Sequence, residues 1–406
     1  MYALLNILIG LLFMSLDATK LKRLTESLKK HTVAYKVAIN SHKERITRLE
    51  QRNAKLKIRP NITIKNKDIY LRRPKINASL SNKTVLTDST WEYVEIFLKS
   101  HNKTDALFFW KQARNFYTAT KNLSIISKPL TAYYCFLNAT KALLTLKGIN
   151  YDTKHGVSGL RLNGQFVLQN EIVKLHPAGV VAALGVYLKE PVTTTGVSHN
   201  LKDILYNLPY VHRAYTLTYP TQAELFIPVL TPRFVFDKYR KKGWLEIKIE
   251  PEHANQKTFN KLVGFGIDPF YKNDEYFILR RKKTFDWETK RGVPTEASLK
   301  KLDNYHSNVR KGFRYIYSPN DLWYIKRADN RAQRGIIDKS CLILTIAAMH
   351  RLSELSRYEP QTLDKHLNKE ASWLLTEFIT KSMYQFIDQI SSEITGDDFR
   401  LTGFRD

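Results

Sequence analysis

One histidine, two arginines and a spaced pair of acids are the residues of this 406-residue chain whose types and positions could do chemistry. His155 lies in "KHG", a loop's length past a glycine-terminated apolar helix pattern. An imidazole there can exchange a proton near neutral pH, or cap the last carbonyls of the helix. Arg351 and Arg357 lie about two turns apart in "CLILTIAAMHRLSELSRYEP". Two guanidiniums on similar faces can grip one phosphate or carboxylate, or pair with Glu354 and Glu359 of their own helix. His155, Arg351 and Arg357 are therefore the candidate catalytic residues, sharing one anion-binding cleft where the two helical segments pack together. A cation beside His155 would hold its imidazole neutral and able to accept a proton. His350 reads as packing. Asp237 with Glu246-Ile247-Lys248 has the pattern of a nuclease metal site, in which two acids hold Mg²⁺ and a lysine aids the attacking water. The same "LEIKIE" is also plain strand alternation. No metal-ligand set, phosphate loop or nucleophile elbow is complete, so neither a metal nor a cofactor is expected.

The elements that must position these residues follow from periodicity. "DALFFWKQARNFYTATKNL" opens on Asp105 as a helix cap and spaces Leu107, Trp110, Ala113, Phe116 and Tyr117 along one face. Lys128-Pro129 opens the next helix, where proline's missing N–H costs nothing, and Lys147-Gly148 stops it. Tyr133, Phe136, Leu137, Thr140, Leu143 and Leu144 make its buried face, while Tyr134, about 100° around, turns toward the cleft. A short loop between two such helices implies an antiparallel hairpin. "CLILTIAAMHRLSELSRY" and "SWLLTEFITKSMYQFIDQI" complete a bundle. Between the hairpin and these two helices, "GQFVLQ", "RFVFDKY", "WLEIKIE" and "EYFILRRKKTF" alternate as strands. The expected class is α+β, mainly α: a helical bundle interrupted by a strand-rich insertion and preceded by a long basic helix. The divisions are 1–16 (apolar), 17–75 (basic arm and linker), 91–158 (hairpin), 159–339 (insertion) and 340–392 (closing helices).

Charge points to a partner. Lys and Arg number 65 against 38 Asp and Glu, a net charge of +27. Residues 17–75 hold 18 basic and 5 acidic residues, nearly half of that excess. Such asymmetry suits a polyanion, RNA or DNA, or an anionic membrane face. Lys22, Arg23, Arg45, Arg48, Arg52, Arg72 and Arg73 are the candidate nucleic-acid contacts. Residues 20–57 lack Gly and Pro, and Leu21, Leu28, Tyr35, His42, Leu49 and Leu56 recur every seven residues. His31, Arg45 and Arg52 at companion positions spoil a coiled-coil seam, though a homo-oligomer stays open. Residues 2–16 are apolar but shorter than a membrane span; they read as a membrane anchor or a packed helix. Two cysteines in apolar runs, Cys135 and Cys341, suit a reducing, cytoplasmic setting, with membrane association through the amino terminus as the variant.

"SKPLTAYYCFLNATKALL", "KHGVSG", "LKDILYNLPYVHRAY" and "LSELSRYEP", in this order, resemble the bacterial YaaC-like family over roughly residues 91–390. That resemblance implies a fold and no defined activity. The hairpin with its "KHG" also resembles the centre of HEPN helical domains, many of which cut RNA with an Arg-x4–6-His motif. Here the histidine following Arg351 and Arg357 is His366, outside that spacing. The resemblance implies a nucleic-acid-binding or interaction module in bacterial stress or phage defence. The alternatives are a HEPN-derived or metal-dependent nuclease and a membrane-tethered scaffold.

Overall fold

A computed structural model describes residues 18–53, 59–268, 277–318, 322–328 and 335–401. The chain divides into two units, residues 1–58 and 59–406. In the first, the described part is a single helix, Ala18–Asn53, 36 residues long. Neither Gly nor Pro interrupts it, and every side chain described in it is exposed, Leu28, Tyr35, Ile39 and Ile46 included. The apolar residues 2–16 lie outside the described residues. No described helix is long and apolar enough to cross a membrane.

The second unit is built on two cores and is α+β, mainly α. In the first core, Thr104–Lys121 and Lys128–Leu146 form the expected hairpin. Asp105 sits inside the first turn rather than at the cap, which is Lys103; there its charge still favours the helix's positive end. Trp110 Nε1 donates to the Trp91 carbonyl at 3.0 Å, and their rings lie 4.5 Å apart, tying the preceding helix Thr90–Ser100 to the hairpin. Tyr133 is buried as its stripe requires, and Phe136 stacks on Phe386 of the last helix, Ser372–Thr395, at 4.2 Å. Cys341–Tyr358 and Pro360–Leu367 close the bundle. A three-stranded antiparallel sheet, Val157–Arg161, Glu171–Leu175 and Val197–Asn200, packs into this same core.

The second core lies against a seven-stranded antiparallel sheet covered by the helix Glu296–Arg310. The region expected as one strand-rich insertion is thus shared. Its first third extends the bundle core, and the large sheet begins at Phe226–Asp237. Residues 59–75, expected as the end of the arm and a linker, belong to this sheet's core. Ile62, Ile69 and Leu71 are buried, and Asn61 and Tyr70 bridge to Val235 and Arg233. Pro60 fits because it is needed as an acceptor only: its carbonyl takes the Phe236 N–H at 3.2 Å. A parallel pair of short strands, Val85–Thr87 with Phe399–Leu401, ties the start of the bundle to the end of its last helix.

Phe136 is the side chain on which hairpin and last helix meet. Phe136→Ala should cost about 3–5 kcal/mol of unfolding free energy in urea titrations, the range for aromatic truncation in a packed core. A loss below ~1 kcal/mol would show that the two elements do not share a core at this point.

Candidate functional site

The "KHG" loop works first through its backbone. The Lys154 and His155 carbonyls accept the N–H groups of Val180 and Val181 at 2.9 and 3.1 Å, satisfying the first turn of the helix Val180–Tyr187. Gly156 (φ +79°) and Gly179 (φ +106°) make this possible. A Cβ on Gly179 would stand 2.5 Å from the Gly156 nitrogen.

With the backbone so held, the His155 ring stands half-buried among aromatic neighbours. Its centroid is 5.3 Å from Tyr133, 6.5 Å from Tyr134 and 5.8 Å from His350. Tyr134, half-buried, stacks on Phe116 at 5.4 Å. Burial, and then the Lys141 ammonium, push the His155 imidazole below its ordinary value. A neutral imidazole open to solvent on one side can accept a proton or a hydrogen bond. The depressing cation is therefore Lys141 on the hairpin, where an arginine of the closing helix was expected.

His350, expected as packing alone, is the hub of the group. Its ring lies 4.9 Å from Tyr133, edge to face. Burial first, then the neighbouring His155, Arg351 and His176, push it down to about 3. Its Nδ1 and the Tyr133 hydroxyl are both buried without a hydrogen-bond partner. The nearest carboxylate to that nitrogen, Glu354 Oε1, stands 3.7 Å away, and it receives the Gly159 N–H at 3.2 Å.

Arg351 turns inward. Its Nε and Nη2 both donate to Glu171 Oε2, at 2.9 and 2.7 Å, and its Nη1 to Glu354 Oε2 at 3.2 Å. His366 Nε2 meets the other oxygen of Glu171 at 2.9 Å. All three residues of this node are at most 3% exposed. Burial opposes the charge on Glu171, but the hydrogen bonds from His366 and Arg351 outweigh it and hold the carboxyl below its usual range. Gly159 is the clearance for this side chain, since a Cβ there would lie 2.4 Å from Arg351 Cδ. Arg357 is exposed, its guanidinium 4.9 Å over its own neighbour Tyr358, and joins neither group. His155 and Arg351 thus flank His350, and the three expected residues do not share one cleft.

The other candidates also have defined places. Lys22, Arg23 and Arg45 are exposed on the arm helix; Arg48 and Arg52 belong to the helix, with side chains outside the described residues. Arg72 and Arg73, expected to face nucleic acid, are instead internal: Arg72 pairs with Asp398 at 3.2 Å and Arg73 with Asp388 at 2.8 Å, because residues 59–75 are folded into the second unit. Glu246 is buried against Arg233 at 2.6 Å, and Asp237 is in register with Lys242. The two acids lie four residues apart along paired strands, about 13 Å, too far to share a metal ion. Among the described residues, Glu250, Glu252 and His253 bring ligand atoms within 4.8 Å. These are surface groups, His253 already 3.4 Å from Glu252, and they form no enclosed site.

Two outcomes follow from the buried polar atoms. His350 and His306 are both neutral when folded, each pushed down to about 3, chiefly by burial. Unfolded, each binds a proton near pH 6.5, so the unfolded state holds more protons below that pH, and stability falls as pH drops from about 6.5 toward 3. Urea midpoints between pH 6.5 and 5 should give a slope approaching about 1.4 kcal/mol per pH unit for each histidine, with His350→Gln removing about half. A flat profile would mean that these rings are already charged. Tyr133→Phe, which deletes a buried hydroxyl lacking a partner, should leave stability unchanged or raise it by about 1 kcal/mol in calorimetry; a clear fall in Tm would reveal a hidden partner.

No curated protein and no solved structure matches the chain. A family model described as YaaC-like Protein matches residues 69–394, which takes in the bundle, both sheets and every residue of the His155 and Glu171 groups. The chain belongs to the YaaC-like protein family.

Proposed function

We propose that this protein binds nucleic acid, and that the helix Ala18–Asn53 supplies the phosphate contacts. The observation that carries this reading is the helix's exposed basic surface. It holds ten Lys and Arg against three Glu, and Lys22, Arg23, Lys29, Lys30, Lys36, Lys43 and Arg45 all reach solvent. Ammonium and guanidinium groups along a rod displace condensed counterions from a phosphate backbone, which gives affinity without sequence preference. The second unit spends several of its own cations internally, whereas every side chain described on the arm is exposed. A bundle of HEPN-like character would make RNA the natural partner. The cutting reaction of such domains is less favoured here, because Arg351 and His366 are both committed to Glu171 and sealed from solvent.

Binding of a single-stranded RNA and of a duplex DNA by the full chain, titrated with salt, tests this. Six to ten phosphate contacts should lose about 10³–10⁵ in affinity between roughly 50 and 200 mM salt. The combined Lys22→Glu, Arg23→Glu and Arg45→Glu variant should bind more weakly and flatten the slope. Binding that ignores salt and these changes would overturn the proposal. So would binding to anionic vesicles with none to either nucleic acid, which would give the exposed stripe of Leu28, Tyr35, Ile39 and Ile46 to a membrane face.

A further inference from the structure

A cleft of about 950 Å³ opens in the second unit, apart from the histidine group. The last helix forms one wall, through Lys381, Tyr384 and Asp388. The ends of the hairpin helices bring Tyr117, Lys121 and Lys128, and the end of the strand Phe313–Ile316 brings Tyr317. Tyr317 is fixed there by its backbone: its N–H donates to Gln385 Oε1 and its carbonyl accepts from Gln385 Nε2, both at 2.8 Å.

The lining combines flat aromatic surface with cationic rims. Tyr384 is 53% exposed, so much of its side chain is open to a ligand. The hydroxyls of Tyr117, Tyr317 and Tyr384 make no hydrogen bond among the described residues, and none is sealed from solvent. Burial, together with Tyr384, Cys135 and Tyr317, pushes Tyr117 up to about 12, and burial with Asp388 does the same for Tyr317. Both are neutral donors at physiological pH. Lys121 is exposed and lies 5.1 Å over the Tyr117 ring, and Lys128 is half-buried in the first turn of its helix. The acids do not cancel this. Asp388 is held by Arg73 at 2.8 Å, and Asp88 has a partner of its own. Lys381 is paired with Glu377, so among the described residues Lys121 and Lys128 are the cations lining this cleft that have no carboxylate partner.

Stacking faces, free phenol donors and ammonium groups within one cleft are complementary to a ligand that is planar at one end and anionic at the other. We propose that the cleft binds a nucleoside phosphate, with its base laid against Tyr384 and its phosphate drawn to Lys121 and Lys128. The ligand is either a free mononucleotide or the phosphorylated end of a strand, which present the same chemistry. The proposal is independent of the arm: it concerns other residues and a ligand too small to bridge many phosphate contacts.

The test uses the full chain and four nucleoside 5′-monophosphates, with inorganic phosphate and a 5′-phosphorylated tetranucleotide beside its 5′-hydroxyl form, read by ligand-observed NMR and calorimetry. At least one nucleoside monophosphate should bind about tenfold or more tightly than inorganic phosphate. Tyr384→Ala should weaken it by about tenfold, as should Lys121→Ala combined with Lys128→Ala. All these side chains are exposed or at the rim, and thermal melts should confirm intact folding. The arm variant of the preceding subsection should leave mononucleotide affinity unchanged, so failure of one proposal is separable from failure of the other. Tighter binding of the mononucleotide assigns the cleft to free nucleotides, and tighter binding of the phosphorylated tetranucleotide assigns it to a strand end. No nucleoside phosphate binding at ~1 mM, or binding unaltered by both sets of substitutions, would overturn the proposal.

Discussion

The second unit depends on the buried carboxylate of Glu171. It lies on the middle strand of the small sheet with no exposed surface, and it receives Arg351 from one closing helix and His366 from the next. A lone carboxylate in that position would carry a desolvation cost of several kcal/mol, which the two guanidinium N–H groups on one oxygen and the imidazole on the other offset only while all three elements stay docked. The node therefore specifies how the sheet and the closing helices fit together, beyond what apolar contact requires. It also explains Gly159. Strand and helix approach so closely there that any side chain would collide with Arg351 and Glu354. The loop before that strand is constrained in turn, since Gly156 and Gly179 must pass within backbone contact for the Lys154 and His155 carbonyls to cap the next helix.

The helices were legible because their signals are local. Proline in a first turn, glycine after a last one and a 3.6-residue apolar stripe identify the hairpin without knowledge of anything distant, and Tyr133 and Phe136 are buried as that stripe requires. The misassigned stretch, residues 59–75, is one whose bridge partners in the large sheet, Val235 and Arg233, lie more than 160 residues away. Its prolines and polar residues look like a linker until Asn61 and Tyr70 are seen against Val235 and Arg233. The site divides in the same way. His155 and Arg351 stand out by type and by their place past or along an apolar helix. Glu171 is one acid at the head of a strand, and His366 lies fifteen residues beyond Arg351, so only the fold joins them. His350 was hidden by its own context, because a histidine in an unbroken apolar run looks like filling. The phenols of the cleft come from three segments with no common pattern.

Net charge is similarly a poor guide to where the charge acts. Arg59 is held by Asp268 at 2.8 Å and lies over the Trp244 ring, while Arg73 pairs with Asp388. Arg310 donates to the carbonyls of Arg72, Arg73 and Phe313, and burial lowers it to about 10. These guanidiniums act as multidentate donors that satisfy loop carbonyls and carboxylates inside the unit. They count toward the formal excess and offer nothing to an external anion. For a partner there remain the exposed cations of the arm and the exposed lysines and arginines of the second unit, Lys121 at the cleft among them.

The contrast between the two polar groups of the bundle indicates where function belongs. The Glu171 node contains the residue types expected of an active site, yet all three members are sealed and mutually satisfied, so they can neither reach a substrate nor exchange protons with one. The His155 group has the opposite character. One ring is half open to solvent and held neutral by burial and Lys141, and behind it the Tyr133 hydroxyl and His350 Nδ1 lack partners. Buried polar atoms without partners cost about 1–3 kcal/mol each, and a fold that can satisfy both oxygens of the buried Glu171 has the means to avoid them. The likewise unpartnered hydroxyls of Ser391 and Ser392 are buried in the last helix, whereas these atoms stand behind the half-open His155 ring and not within the satisfied node, so at this end of the hairpin unspent polar capacity adjoins solvent.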